Sequence, residues 1–129
     1  GQLKVLDERV AKKRAIFDHY RRELSSIVGM GVMPMNEWNE PNCWLSCFVI
    51  DPNSPVQPVD VMEALAGENI ESRPIWKPMH LQPFFSHCDF IGGAVSEGLF
   101  RNGVCLPSDT KMTVEDLDTV CGLIKGLWR

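Results

Sequence analysis

"RPIWKPMHLQPFF", residues 73–85, is the stretch on which the reading of this chain turns. Pro74, Pro78 and Pro83 remove three backbone donors, so the segment makes a poor central strand. It makes an equally poor solvated linker, because Trp76, Met79, Phe84 and Phe85 would all face water. Arg73, Lys77 and His80 place three cationic or donor groups within eight residues, with Gln82 close behind. Proline-fixed backbone lowers the entropy lost when such groups are ordered around a ligand. The set suits an anion of the phosphate type, which Arg and Lys meet with charge-assisted hydrogen bonds. Trp76 would add an apolar wall or a stacking face. The same residues also fit a structural role. A lone His is more often structural than catalytic, Trp and Met are more often core, and prolines can simply end a strand. The residues by themselves leave both readings open.

Upstream, "WLSCFVI" (44–50) is apolar on both alternations, the pattern of a strand covered on two sides. "DPNSP" is a turn, and Pro58 suits the first turn of a short helix in which Val59, Met62 and Ala66 share a face and Gly67 supplies the end. Downstream, "GGAVSEGLFRNG" reads as a short helix closed by Asn102–Gly103, followed by the extended "VCLPS". Thr113 and Asp116 then form a capping-box start for a final helix with Leu117, Val120, Cys121, Ile124 and Leu127 on one face. At the other end, residues 3–27 read as one long amphipathic helix. Leu3, Leu6, Val10, Phe17, Tyr20, Leu24 and Ile27 form its stripe, and Lys13 interrupts it. Gly29 and Gly31 stop it. Residues 30–43 look like a loop, with more apolar side chains (Met30, Met33, Met35, Trp38) than a solvated loop needs. The order α-β-α-β-α-β-α predicts an α+β fold, a small mixed sheet with packed helices.

The chain has 129 residues, enough for a single domain with a real core. It is 44% hydrophobic and 23% charged, ordinary for a globular protein. A net charge of −4 argues against sequence-independent nucleic-acid binding. No apolar run approaches the roughly 20 residues that span a bilayer, and no signal peptide opens the sequence, so a cytoplasmic protein with no membrane partner is expected. Cys43, Cys47, Cys88, Cys105 and Cys121 make an odd set without a CxxC pair. With His80 and His87 far along the chain, no metal is expected, and the thiols should be reduced and mostly buried. "CWLSCFV" should put Cys43 and Cys47 on the same face of a sheet. There is no GxSxG elbow, no Cys/His signature and no phosphate loop; "IGGAVSEG" lacks the required spacing. Lys4, Lys12, Lys13, Lys111 and Lys125 are placed to face water, which leaves Lys77 as the lysine among apolar neighbours.

Two long motifs narrow the reading. "IESRPIWKPMHLQPFF" and "GGAVSEGLFRNGVCLPSDTKMTVEDL" closely resemble the C-terminal part of the DegT/DnrJ/EryC1/StrS family. These are pyridoxal-phosphate-dependent aminotransferases acting on nucleotide-linked keto sugars. "GQLKVLDERVAKKRAIFDHYRREL" is similar to the helix that joins the family's large and small domains, so the resemblance covers essentially the whole chain. "SRPIWKPMH" is most similar to members that make 4-amino-4,6-dideoxy sugars for surface glycans, such as the bacillosamine-type transaminases. The resemblance implies a fold-type I enzyme, usually a homodimer, with glutamate as amine donor and a 4-keto sugar nucleotide as acceptor. It implies that residues 1–129 are the C-terminal small domain, opening with the interdomain helix. Trp76, Lys77 and His80 would face the nucleotide-sugar, with Arg73 and Gln82 bracing the loop. The Schiff-base lysine and the other cofactor-binding residues belong to the family's large domain, which these residues do not match. Lys77 does not fall at the family's catalytic position. The chain alone is therefore expected to hold no pyridoxal phosphate and to be inactive. One local departure is "LPSDT", where relatives often carry Gly-Ser after Pro-Ser. The competing expectation is a free-standing, non-catalytic module that binds sugar nucleotides or proteins.

Overall fold

The computed structural model describes residues 1–129. A 3-10 turn, Gln2–Val5, leads into helix α1, Leu6–Leu24. Then follow β1 (Met30–Val32), β2 (Ser46–Ile50), α2 (Pro58–Gly67), β3 (Arg73–Pro74), α3 (Val95–Asn102), β4 (Gly103–Leu106) and α4 (Val114–Leu127). The strands form one sheet in the order β1-β2-β4-β3. The α+β class holds, but every strand pairing is antiparallel, so the sheet is not mixed.

The core lies between the sheet and three helices. Ser46, Phe48 and Ile50 alternate inward along β2, and Val104 and Leu106 do so along β4. Tyr20 and Leu24 from α1, Val61 and Leu65 from α2, and Leu117, Val120 and Ile124 from α4 close over them. Tyr20 is fully buried, packs edge-on against Phe48 at 6.4 Å, and donates its hydroxyl proton to the Pro107 carbonyl at 2.9 Å. That bond satisfies a group whose burial would otherwise cost about 1–3 kcal/mol. Burial also raises the Tyr20 phenol's pKa well above its ordinary value.

Local chemistry explains the element ends. Helix α1 covers only Leu6–Leu24 of the expected 3–27 and is not stopped by a glycine. Ser25 caps it in the right-handed conformation, and Gly29, at a φ of +84°, shapes the later turn that leads into β1. At α4, the Thr113 N–H donates to Asp116 Oδ2 at 2.8 Å, and the Asp116 N–H returns to Thr113 Oγ1 at 3.2 Å. In "LPSDT", the Asp109 carboxylate accepts from the Lys111 N–H at 2.8 Å, a side-chain turn that suits this departure from the family pattern.

Several expectations change. Met30–Val32, expected to be loop, forms the edge strand β1 against β2. The buried face of α2 is Pro58, Val61 and Leu65, while Val59 is exposed. Cys43 does not share a strand face with Cys47: it lies before β2 with a φ of +50°, which turns the chain there. Of the five thiols, Cys43, Cys105 and Cys121 are buried, Cys47 is half-buried and Cys88 is exposed. Lys13 does not simply face water, since its ammonium donates to the carbonyls of Trp44, at 3.0 Å, and Ser108. With Arg14, whose Nε donates to the Pro41 carbonyl at 2.9 Å, it ties the 33–45 segment to α1. No helix is long and apolar enough to cross a membrane.

Candidate functional site

The sheet's other face carries the candidate site. Cys47 and Val49 on β2 and Cys105 on β4 point away from the helices, by the strict period of two. Beside Cys105 runs the 73–85 segment, held by β3 pairing with β4 at Arg73↔Cys105 and Pro74↔Val104. The result is a groove of about 440 Å³. Leu45, Ile75 and Phe100 wall it, Cys105 reaches its floor, and Trp44 and Trp76 stand at the mouth. The two indoles stack with centroids 5.8 Å apart and planes inclined by 23°, and both are mostly exposed.

Charge in the groove has one sign. Arg73 and Lys77 line it, and no Asp or Glu does. The Arg73 guanidinium is engaged by Glu71, with Nη2 at 2.5 Å and Nε at 2.8 Å from one carboxylate oxygen. Lys77 is exposed and forms no ion pair, which leaves its ammonium as the available donor for an anion. A smaller cavity, about 250 Å³, lies between α1 and the 33–43 segment. Its lining mixes Arg14 with Asp18 and Glu40, so it offers an anion no comparable field.

His80 and Gln82 stand behind the groove. His80 sits on a 3-10 turn, Met79–Leu81, with its ring stacked on Phe90 at a centroid distance of 4.0 Å and an angle of 9°. Its Nε2 lies 3.0 Å from Glu97 Oε1 on α3, and both side chains are largely covered. Gln82 donates from Nε2 to the Lys77 carbonyl at 3.2 Å. These contacts clamp the loop to α3 and fix the backbone from which Trp76 and Lys77 project. Of the five residues singled out from the sequence, Arg73, Trp76 and Lys77 thus meet in the groove, while His80 and Gln82 brace it. Trp44 and Glu97 escaped the sequence reading. Glu97 lies inside "GGAVSEGLFRNG", and an aromatic at the mouth of a strand was the signal for Trp44.

The fold and the motifs agree with comparison to known proteins. The DegT/DnrJ/EryC1/StrS aminotransferase family matches residues 1–125. The chain belongs to that family. EpsN of Bacillus subtilis (strain 168), assigned as a pyridoxal phosphate-dependent aminotransferase, is 41% identical over 134 residues, covering 99% of this chain and 34% of EpsN. GDP-perosamine synthase of Vibrio cholerae is 28% identical, covering 98% of this chain and 34% of that protein. A DegT/DnrJ/EryC1/StrS aminotransferase from Brucella abortus superposes with a TM-score of 0.82 at 23% identity, over 97% of this chain and 32% of that one. The chain thus spans about a third of the length of the relatives it matches.

Enzymes of this DegT/DnrJ/EryC1/StrS kind use pyridoxal phosphate, which needs a desolvated lysine amine and a carboxylate partner for its ring nitrogen. The groove does not fit it. Its lysine, Lys77, is exposed, and no carboxylate lines the site. Lys13, the half-buried alternative, spends its protons on two backbone carbonyls.

Proposed function

We propose that residues 1–129 act as the small, C-terminal domain of a pyridoxal-phosphate-dependent sugar-nucleotide aminotransferase, and that the 73–82 loop is its nucleotide-sugar wall. The observation that supports this reading most is the groove itself, with an exposed, unpaired Lys77 set beside two stacked indoles in an otherwise acidic chain. An apolar sugar or base face would lie against Trp44 and Trp76, and Lys77 would meet a phosphate. Arg73 would reach the same anion on leaving Glu71. His80 and Gln82 hold the loop so that little entropy is lost when ligand arrives.

On this reading the acceptor is a nucleotide-linked 4-keto-6-deoxy sugar destined for surface glycans, and glutamate supplies the amine. The cofactor and its lysine come from a large domain, and the complete enzyme works as a cytoplasmic homodimer. The small domain alone is inactive.

The test uses the complete enzyme. Lys77→Ala removes a charge-assisted hydrogen bond worth about 1.5–3 kcal/mol, so KM for the sugar nucleotide should rise about 10- to 100-fold. Cofactor affinity, followed by absorbance, should stay unchanged. His80→Ala should raise the same KM less, by loosening the loop. Unchanged sugar-nucleotide kinetics in both variants would overturn the assignment. So would turnover by residues 1–129 alone, seen as 2-oxoglutarate from glutamate together with a borohydride-trapped lysine.

A further inference from the structure

Cys105 at the floor of the groove, with Cys47 beside it on β2, carries chemistry that sugar-nucleotide binding does not use. The β2–β4 register sets Cys47 directly opposite Cys105. The Cys47 carbonyl accepts from the Met33 N–H, on the β1 side, so toward β4 this is a non-hydrogen-bonded pair. In such pairs the Cα atoms approach to about 4.5 Å and the side chains lie on one face. A separation of that order falls within the roughly 4.4–6.8 Å a disulfide accepts, so the pairing is compatible with a cross-strand bond. The two sulfurs already lie 3.5 Å apart.

The remaining cysteines lack this arrangement. Burial raises the pKa of Cys43 and Cys121, which keeps those thiols protonated. Cys88 is exposed and has no sulfur opposite it. At the pair, either thiol can donate across the 3.5 Å contact and so stabilise a thiolate on the other. With the charge on Cys47, the less buried residue, Cys47 is lowered to about 7 and Cys105 is raised. Cys47 is also the more exposed of the two, so the better nucleophile is the accessible one.

We propose that Cys47 and Cys105 form a dithiol site that reacts with low-molecular-weight disulfides of the glutathione class and closes to a cross-strand disulfide. The Cys47 thiolate attacks one sulfur of the disulfide, forms a mixed disulfide and expels the first thiolate. Cys105, giving up its proton, then attacks the Cys47 sulfur and expels the second. Two protein thiols are oxidised by two electrons, the small disulfide is reduced to two thiols, and the cysteine protons end on those products. Cys105 Sγ also lies 4.0 Å from the Pro74 carbonyl, so drawing it toward Cys47 alters a contact at the base of the 73–85 loop. This inference stands independently of the sugar-nucleotide reading.

The experiment treats the purified protein, in a Cys88→Ser background, with oxidised glutathione. Intact mass and peptide mapping are then recorded under non-reducing conditions. The expected result is loss of two titratable thiols, no retained glutathione, and a linked peptide joining Cys47 to Cys105. In Cys105→Ala, one glutathione should remain on Cys47. In Cys47→Ala, Cys105 should stay unmodified. Cys105→Val replaces the alanine variant should circular dichroism show that the latter is unfolded. A glutathione adduct retained on the Cys88→Ser protein would overturn the proposal, as would inert sulfurs at both positions or linkage to a different cysteine.

Discussion

The two faces of this sheet are built from the same two central strands and do different work. Inward, Ser46, Phe48, Ile50, Val104 and Leu106 are sealed by three helices. Outward, Cys47 and Val49 are only half-buried, and Cys105 lies at the floor of an open groove beside a short proline-rich segment. Alternation along each strand therefore separates stability from chemistry one residue at a time. Substitutions at neighbouring positions should consequently have unequal costs. Phe48→Ala removes a fully buried ring packed on Tyr20 and should cost about 3–5 kcal/mol of unfolding free energy, read from urea denaturation. Cys47→Ala, one residue earlier on the other face, should cost about 1 kcal/mol or less. Similar losses in the two variants would break the comparison.

Gly103 is where the faces meet. A Cβ there would stand 2.2 Å from Ile75 Cδ1 and 2.5 Å from the Leu99 carbonyl oxygen. The isoleucine tip can rotate away, but the backbone oxygen at the α3–β4 junction cannot move without shifting the strand. Gly103→Ala should therefore cost about 1–3 kcal/mol. It should also lift Ile75, and with it the groove wall, so that the near-ultraviolet circular dichroism of the indoles changes along with the denaturation midpoint. A stability loss with unaltered tryptophan signals would confine Gly103 to the inner framework.

What was legible in the sequence tracks how local the cause was. The α4 stripe and the Thr113–Asp116 cap depend on residues within a turn or two, and both appear in the structure, whereas α1 ends at Leu24 without using the expected glycine stop. The strand β1 was hidden because Met-Gly-Val is too short to show a period, and its pairing comes from β2, sixteen or more residues away. The α2 face was misread because "PVDVMEALAG" is apolar on nearly every side, so tertiary contact chooses Val61 and Leu65. Lys13 breaks the α1 stripe for a reason visible only in three dimensions, since its acceptors are 31 and 95 residues away. The site followed the same rule. The cation-bearing proline loop was legible as a local cluster, whereas the partner that turns His80 into a brace, Glu97, lies 17 residues on.

The smallest expected effect tests the outer face most directly. Trp44 and Trp76 are both more than half exposed, so little apolar area leaves water through their contact. Trp44→Ala should accordingly change stability by less than about 1.5 kcal/mol, the upper value for an aromatic pair beyond its area burial. Its optical effect should be large, because two stacked indoles couple and produce an exciton band pair in the circular dichroism that a single indole cannot. Trp44→Phe should keep the groove mouth filled while losing that band pair, which separates shape from coupling. If Trp44→Ala instead destabilises the protein as much as Phe48→Ala does, the indole pair belongs to the framework rather than to the open face. A band pair retained in both variants would mean that the two rings do not stack in solution.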